Sequence, residues 1–220
     1  MKTIIDKIKA AGGSYFANDN ISEYLEPKDL IKIKRNVEKA MQKVLEALII
    51  DTDNDHNTKE TAKRVAKMYI DEVFKGRYNE QPKITDFPNA KDLDQIYTLG
   101  PITVRSACSH HLVPITGHAW IGIIPNDRVI GISKFSRLTD WVMSRPQIQE
   151  EATVQLADLI EEKIKPKAVA VIIKATHQCM TWRGVKDNGV SMTTSVMRGL
   201  FRDDEGARNE FLSIIKGQGY

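Results

Sequence analysis

The stretch Ala168-Val-Ala-Val-Ile-Ile173 decides the fold of this chain, because a short apolar run between two lysines predicts a buried β-strand. It leads within four residues to His177-Gln178-Cys179. If the strand continues, the side chains of His177 and Cys179 lie two residues apart and point to the same face of the sheet. The sequence therefore predicts that this strand presents an imidazole and a thiol together.

A second run, Cys108-Ser109-His110-His111, completes a cluster of metal-binding residue types. Together the two runs contain both cysteines of the chain and three of its five histidines. A divalent metal of borderline softness such as zinc prefers thiolate and imidazole ligands. A catalytic zinc keeps three protein ligands and one open position for water, so spare histidines would be free to move protons. The residues alone leave open which histidine binds the metal.

Two other interpretations of the cysteines are weighed against a metal site. Free cysteines are often inert thiols of a buried core. A disulfide between Cys108 and Cys179 is also conceivable, but no apolar segment follows Met1-Lys2 to indicate a signal peptide. We therefore expect a cytoplasmic protein, in which a disulfide is not favoured.

The composition limits the classes of protein and partner. A chain of 220 residues, 28% charged and 41% hydrophobic, is typical of a soluble globular domain with or without a helical appendage. Its apolar runs are too short to span a membrane. The net charge of +3 and the lack of a continuous basic stripe argue against a nucleic-acid partner. Basic side chains that suit a small polyanion are Lys134, Arg137, Arg183, Lys186, Arg198 and Arg202.

The pattern along the chain predicts an α+β fold, an antiparallel sheet with helices on one side and an N-terminal helical extension. Residues 1 to 27 are predicted as a short helix and a loose arm. A helix from Pro27 to Leu48 with an apolar stripe follows, and Thr58 with Thr61 is expected to cap a helix over 62–74. Further predicted elements are strands over 97–104, 117–124 and 129–132 with a hairpin turn at 125–128, a helix capped by Ser133, a helix over 148–164, a polar strand over 181–197 interrupted at 187–189, and a last helix headed by Asp203-Asp204.

These elements and motifs together resemble the GTP cyclohydrolase I family over roughly residues 30 to 216. No single motif is decisive, but their order and spacing are specific. The stretches that support the resemblance are Thr61–Tyr69, Cys108–Pro114, Gly131–Arg137, Arg145–Glu150, His177–Met180, Arg183–Lys186 and Gly199–Arg202. The implied domains are an arm over 1–29, a helical region over 30–92 and a catalytic domain over 93–220.

The resemblance implies a zinc-dependent hydrolase that opens GTP to formate and 7,8-dihydroneopterin triphosphate, the first step of folate, pterin or deazaguanine biosynthesis. By that resemblance one zinc per subunit is held by Cys108, His111 and Cys179, and His110 and His177 transfer protons. The metal activates water for attack on the imidazole carbon C8 of GTP. No redox cofactor is required.

The resemblance also assigns substrate-binding residues. Glu150, with Gln149 and nearby backbone, is expected to read the guanine edge, and Ser133 the ribose. The triphosphate would be held by guanidinium and ammonium groups. These groups are Lys134, Arg137 and Arg183, with Arg64 reaching a phosphate from a neighbouring subunit.

The family fold is the tunnelling fold, in which antiparallel sheets from several subunits join into a barrel, and it implies a homodecamer with active sites at subunit interfaces. The sequence departs from the family at Ser109, where glutamate is common; this removes no ligand.

Two other classes of protein compete with this interpretation: a tunnelling-fold nitrile reductase for a 7-deazaguanine, which uses a cysteine nucleophile without zinc, and a zinc-binding homologue without catalysis. Two cysteines together with His110, His177 and Glu150 favour the cyclohydrolase.

Overall fold

The computed structural model describes residues 2–220, and the chain divides into two compact units after Glu80. The first unit is helical. Its helices are α1 (Lys2–Ala10), a 3₁₀ turn (Ser22–Tyr24), α2 (Pro27–Ala47), α3 (Thr61–Lys67), a π-helical segment (Met68–Val73) and α4 (Lys75–Tyr78). The proposed boundaries of arm, helical region and catalytic domain stay a prediction.

The segment predicted as a loose arm is tied to the rest of its unit. The Arg77 guanidinium donates hydrogen bonds to four backbone carbonyls, those of Tyr15, Phe16, Ala17 and Asp19. One arginine thus provides hydrogen-bond donors to the backbone carbonyls of a short irregular segment. The anchoring contact is between residues about 60 positions apart, which no local pattern reveals.

Helix α2 forms as predicted, but Ile31, Val44 and Leu48 of its expected apolar stripe are exposed, and the buried residues of the helix are Ile33 and Leu45. It begins with a capping box in which Glu26 and Asp29 each accept from the other's backbone. The predicted cap of α3 is wrong. Its N-cap is Glu60, without a side-chain hydrogen bond. Thr58 instead donates to the Asp55 carboxylate at 2.9 Å, inside the preceding polar loop.

The second unit, Gln81–Tyr220, contains a five-stranded sheet and a separate two-stranded ribbon. The strand order in the main sheet is β5-β2-β3-β6-β7, antiparallel except for the short β5–β2 contact. The elements of this unit are β1 (Asp86–Pro88), β2 (Tyr97–Cys108), β3 (Pro114–Ile124), β4 (Arg128–Ile130), α5 (Ile132–Met143), β5 (Pro146–Gln147), α6 (Gln149–Ile164), β6 (Ala168–His177), α7 (Gln178–Thr181), β7 (Met192–Gly199), α8 (Leu200–Asp203) and α9 (Glu205–Gly217).

Strand β6 separates two apolar cores because its side chains alternate between the faces of the sheet. Val169, Val171 and Ile173 pack with buried residues of α5 and α6 on one face. Ala170 and Ile172 pack with residues of α8 and α9 on the other. Glycine is needed at position 122, since a Cβ there would lie 2.5 Å from the Phe211 ring of α9. The α+β class with an antiparallel sheet is therefore confirmed, and α9 adds cover on the second face.

Two details of the predicted strands are wrong. β4 does not form a hairpin with β3; it pairs with β1, because β2 and β6 already occupy both edges of β3. Of the polar strand expected over 181–197 with an interruption at 187–189, only the part after the interruption forms, as β7. Left-handed backbone at Gly184 (φ 65°) and Lys186 (φ 57°) interrupts the extended chain before it.

The predicted helices that flank the site form with small differences. Helix α5 begins after Gly131 without a side-chain cap, so Ser133 lies inside the helix and is not its cap. Helix α6 ends as expected at Lys165, which adopts a left-handed conformation. Asp204 caps α9 by accepting from the Ala207 backbone N–H at 2.7 Å. Among the described residues, no helix combines the length and apolarity that a membrane span requires.

Candidate active site

The first Cys/His run forms the connection between β2 and β3. Cys108 is the last residue of β2, and its backbone N–H donates to Val113 at 2.9 Å while its carbonyl accepts from Leu112 at 2.8 Å. Leu112 has a left-handed conformation (φ 54°) that closes the turn. The turn is fixed at its base, so it presents His110 and His111 as exposed side chains beside a buried cysteine.

The second run lies at the end of β6. The prediction that Cys179 lies on this strand is wrong, but the prediction that the two Cys/His runs converge is right. β6 ends at His177, and Cys179 lies in the short helix α7 rather than at the next position of the strand. His177 pairs with Ile115 of β3, the strand that begins directly after the first run. The shared neighbour β3 therefore brings the two runs together.

Cys108, His111 and Cys179 form a group whose ligand atoms all lie within 4.8 Å of one another. Both cysteines are free thiols, so the alternative of a disulfide is absent from the described chain. Two sulfurs and one imidazole nitrogen at this separation suit a tetrahedral zinc, with bonds of about 2.0–2.3 Å and one position left open. The donor set thus fits the metal that the sequence predicts.

The environment of the thiols also fits a cation. Burial raises the pKa of the Cys179 thiol, and the charge and hydrogen bonding of the adjacent Cys108 raise this pKa further. Two adjacent thiolates are costly unless a positive charge accompanies them. His110 lies on the same turn, with its Nδ1 3.7 Å from the Cys108 sulfur.

Arg183 reaches the metal group from the loop that precedes β7. Its guanidinium donates a 2.9 Å hydrogen bond to Nε2 of His111. Both side chains are exposed. This contact places a permanent positive charge beside the predicted zinc ligands, in the position expected of an anion-binding group.

His177 is half-buried and is held by Gln149, the first residue of α6. Its Nε2 lies 2.8 Å from the amide oxygen of Gln149. Burial lowers the pKa of His177, and the charge of Glu150 opposes that effect. Glu150 is exposed, so α6 begins with a buried amide at Gln149 and an accessible carboxylate at Glu150.

The remaining predicted substrate-binding residues lie on helices outside this cluster of contacts. Ser133 and Arg137 are exposed on α5, and the half-buried Lys134 donates from Nζ to the Lys83 carbonyl at 3.1 Å. Within residues 2–220, no hydrogen bond links these three side chains to the Cys/His group. Arg64 is exposed on α3 of the first unit.

Two residues around the site were missed by sequence reasoning, Thr153 and Thr194. Thr153 Oγ1 donates to the Gln149 carbonyl at 2.7 Å and lies 2.7 Å from Thr194 Oγ1. Thr194 Oγ1 in turn lies 3.1 Å from the Gln149 amide nitrogen. The available signal was a polar pair, Gln149 and Thr153, four residues apart on the buried face of α6.

Comparison with known proteins identifies the family of this chain. The GTP cyclohydrolase I family model matches residues 37–216. A protein of Edwardsiella ictaluri named GTP cyclohydrolase 1 is 40% identical over 184 residues, covering 83% of this chain and 83% of the relative. One of the same name from Rhodopirellula baltica is 37% identical over 214 residues, covering 97% of this chain and 90% of the relative.

A solved structure of the archaeosine synthase QueF-Like in the apo form matches with a TM-score of 0.37 and 18% identity, covering 55% of this chain and 97% of that chain. The family model, in contrast, matches residues 37–216, which is most of the chain. The relatives are matched over most of their own length as well. On this evidence the chain belongs to the GTP cyclohydrolase I family.

Proposed function

We propose that the chain is the enzyme that hydrolyses GTP at C8 to give formate and 7,8-dihydroneopterin triphosphate. The observation that supports it most is the convergence of Cys108, His111 and Cys179, with ligand atoms within 4.8 Å, beside two further histidines and Arg183. A nitrile reductase needs one cysteine nucleophile and no metal, so a Cys-His-Cys group favours the cyclohydrolase.

In this proposal Cys108, His111 and Cys179 hold one zinc ion per subunit. When bound, zinc acts as a Lewis acid and makes water nucleophilic at neutral pH. The buried end of β2 and the short helix α7 fix the two sulfurs, so the ligands are organised before the metal arrives.

His177 and His110 move the protons. We assign His177 to protonation of the guanine imidazole ring at N7, which makes C8 more electrophilic. His110, exposed on the turn beside Cys108, is assigned to the proton transfers that accompany and follow ring opening. Positioned acid–base groups of this kind contribute about 10²–10⁴ in rate.

Recognition of GTP is divided between a carboxylate and several cations. Glu150 accepts hydrogen bonds from N1 and the 2-amino group of guanine, which adenine cannot offer. Ser133 contacts the ribose. The triphosphate is held by Lys134, Arg137 and Arg183, with Arg64 of a neighbouring subunit.

The contact between Arg183 and His111 couples metal and substrate binding. A guanidinium only donates, so this contact uses the lone pair of His111 Nε2. If Nε2 held the metal, its lone pair would not be available to Arg183. If Nδ1 held it, Nε2 would carry the proton of the neutral ring and could not accept. In both cases Arg183 would be free to bind phosphate.

We further propose that the chain acts in the cytoplasm as a homodecamer with active sites at subunit interfaces. The product then enters a pterin or folate pathway. Size-exclusion chromatography with light scattering measures the assembly directly, and a stable active monomer would contradict the shared site.

The experiment that tests the function is a GTP turnover assay that quantifies formate and neopterin triphosphate together with bound zinc. Glu150→Gln provides the sharpest variant, because the amide presents N–H donors to the donors of guanine. We expect loss of GTP turnover with zinc retained. Comparable turnover of ATP and GTP by the parent protein would refute this account of the pocket, and reduction of a 7-deazaguanine nitrile would support the competing class.

A further inference from the structure

The side chain of Gln149 is fully buried, and its amide is engaged on all sides by the protein itself. Its nitrogen donates to the carbonyls of Ile173 (3.0 Å) and Met192 (3.1 Å) and to Thr194 Oγ1 (3.1 Å). Its oxygen faces Nε2 of His177 at 2.8 Å. We propose that Gln149 is a positioning residue that fixes the tautomer of His177, leaving Nδ1 as the nitrogen that exchanges protons with the substrate.

The orientation of the Gln149 amide follows from its partners. Backbone carbonyls can only accept, so the amide group that faces Ile173 and Met192 must be the NH₂. Turning the amide over would set its oxygen against two carbonyl oxygens and bury two unpaired acceptors. The oxygen is therefore directed at His177.

The two threonines reinforce this orientation. Thr153 donates to the Gln149 carbonyl, so in the pair of hydroxyls it accepts the hydrogen of Thr194. Thr194 Oγ1 then has a lone pair for the Gln149 NH₂. Thr153, Thr194 and Gln149 form a closed chain of hydrogen bonds between α6 and β7, which closes through the backbone carbonyl of Gln149.

The tautomer of His177 follows in turn. An amide oxygen only accepts, so the Nε2 that lies 2.8 Å from it must carry a hydrogen. In the neutral ring Nδ1 then has the free lone pair, and in the charged ring Nδ1–H is the proton to give away. This inference rests on the proposed role of His177. The sequence analysis expected Gln149 to help read the guanine edge. In the present proposal the Gln149 side chain instead contacts His177, the residue that protonates guanine.

The test measures the tautomer of His177 directly. Zinc-loaded protein is prepared with nitrogen-15 in its histidine rings, and solid-state nitrogen-15 spectra are recorded without GTP at about pH 8, above the ordinary imidazole pKa. Subtraction of the spectrum of His177→Asn isolates the His177 signals. We expect Nε2–H with unprotonated Nδ1 in the parent, and a mixture of tautomers in Gln149→Met, a variant of similar length without an acceptor.

Thr194→Val is the matched control. It removes one acceptor of the Gln149 NH₂ and leaves two carbonyls to hold it, so the parent tautomer should persist. In kinetics, Gln149→Met should lower kcat by about ten- to hundredfold with KM within about threefold, and Thr194→Val should lower kcat by clearly less than Gln149→Met does.

Several outcomes would overturn the proposal. These are an Nδ1–H tautomer in the parent, an unchanged tautomer in Gln149→Met, or a Gln149→Met variant whose loss is confined to KM, as expected of a guanine contact. If Gln149→Met does not fold, Gln149→Asn withdraws the oxygen by about 1.5 Å and should give the same mixture. Because the spectra need no GTP, a parent with the expected tautomer and no GTP turnover would refute only the proposed function.

Discussion

The candidate site has two walls that differ in how firmly their side chains are held. The buried wall, Cys108, Gln149 and His177, lies at strand ends and on the covered face of α6, and the amide of Gln149 alone has four hydrogen-bonding partners. The exposed wall, His110, His111 and Arg183, lies on a turn and a loop, where each side chain has one hydrogen-bonding contact within residues 2–220.

The difference matches part of the chemistry proposed for each wall. Protonation of guanine by His177 and thiolate ligation by Cys108 depend on fixed directions and distances, which buried networks provide. Binding a triphosphate through Arg183 requires charge and adaptable reach, which long exposed side chains provide. His110 and His111 are exceptions, because a proposed proton-transfer residue and a proposed zinc ligand lie on the exposed wall.

The largest expected effect is removal of a sulfur ligand. Cys179→Ala should reduce bound zinc from about one per chain to nearly none and abolish GTP turnover, because the remaining cysteine and histidine cannot hold the ion tightly. Elemental analysis and a formate assay measure both. Cys108→Ala should behave in the same way, and full zinc occupancy in both variants would refute the ligand assignment.

The next effect separates the proton-transfer residues of the two walls. His177→Ala and His110→Ser should both keep zinc and lose product formation by about 10²–10⁴. His177→Ala should release no formate, whereas His110→Ser, acting later, should accumulate a ring-opened formylated intermediate. Quantifying formate, neopterin triphosphate and zinc for each variant separates the two steps.

Retention of zinc in a His111 variant with its loss from the His110 variant would show that the two neighbours are exchanged. The structure makes this a real test, since both histidines are exposed on one turn and their ring centroids lie 6.3 Å apart.

A smaller effect is expected from the exposed wall. Arg183→Ala should raise KM for GTP by about 10- to 100-fold, the loss of a charge-assisted hydrogen bond, and change kcat less. Zinc affinity should be unchanged or higher, because Arg183 no longer competes for His111 Nε2. Arg183→Lys should recover part of the loss. A weaker zinc affinity in Arg183→Ala would contradict the proposed release of Arg183.

The smallest effect concerns the core that supports the buried wall. The Tyr97 hydroxyl is buried without a hydrogen-bond partner in the described chain, and burial raises the Tyr97 pKa to about 12. Tyr97→Phe should therefore change the free energy of unfolding at neutral pH by less than about 1 kcal/mol.

The same residue gives a dependence on pH with a definite sign. A raised pKa means that the folded state retains the phenol proton that the unfolded chain loses near pH 10. This contribution to stability is complete below pH 10 and is lost as the pH rises towards about 12. Chemical denaturation across this window should show the parent falling relative to Tyr97→Phe. Parallel curves would contradict the raised pKa.

Local pattern located several elements of the second unit. The apolar run of β6, the stripe of α6 and the Asp204 cap of α9 each form as predicted, because periodicity and capping are properties of neighbouring residues. The polar strand forms only after its predicted interruption at 187–189, because the left-handed residues Gly184 and Lys186 belong to a loop whose conformation local pattern does not specify.

The sequence by itself determined the chemistry of the site. It identified the two cysteines, the neighbouring histidines and the family, because residue types and their spacing decide which metal and which reaction are feasible. The tertiary structure decided how they meet. Cys108 and Cys179 converge because β3 lies between β2, which ends at Cys108, and β6, which leads into α7 and Cys179. Gln149 faces His177 because the carbonyls of Ile173 and Met192 hold its NH₂ on the other side. Such contacts join residues up to 71 positions apart, and their direction depends on hydrogen-bond partners that no local pattern specifies.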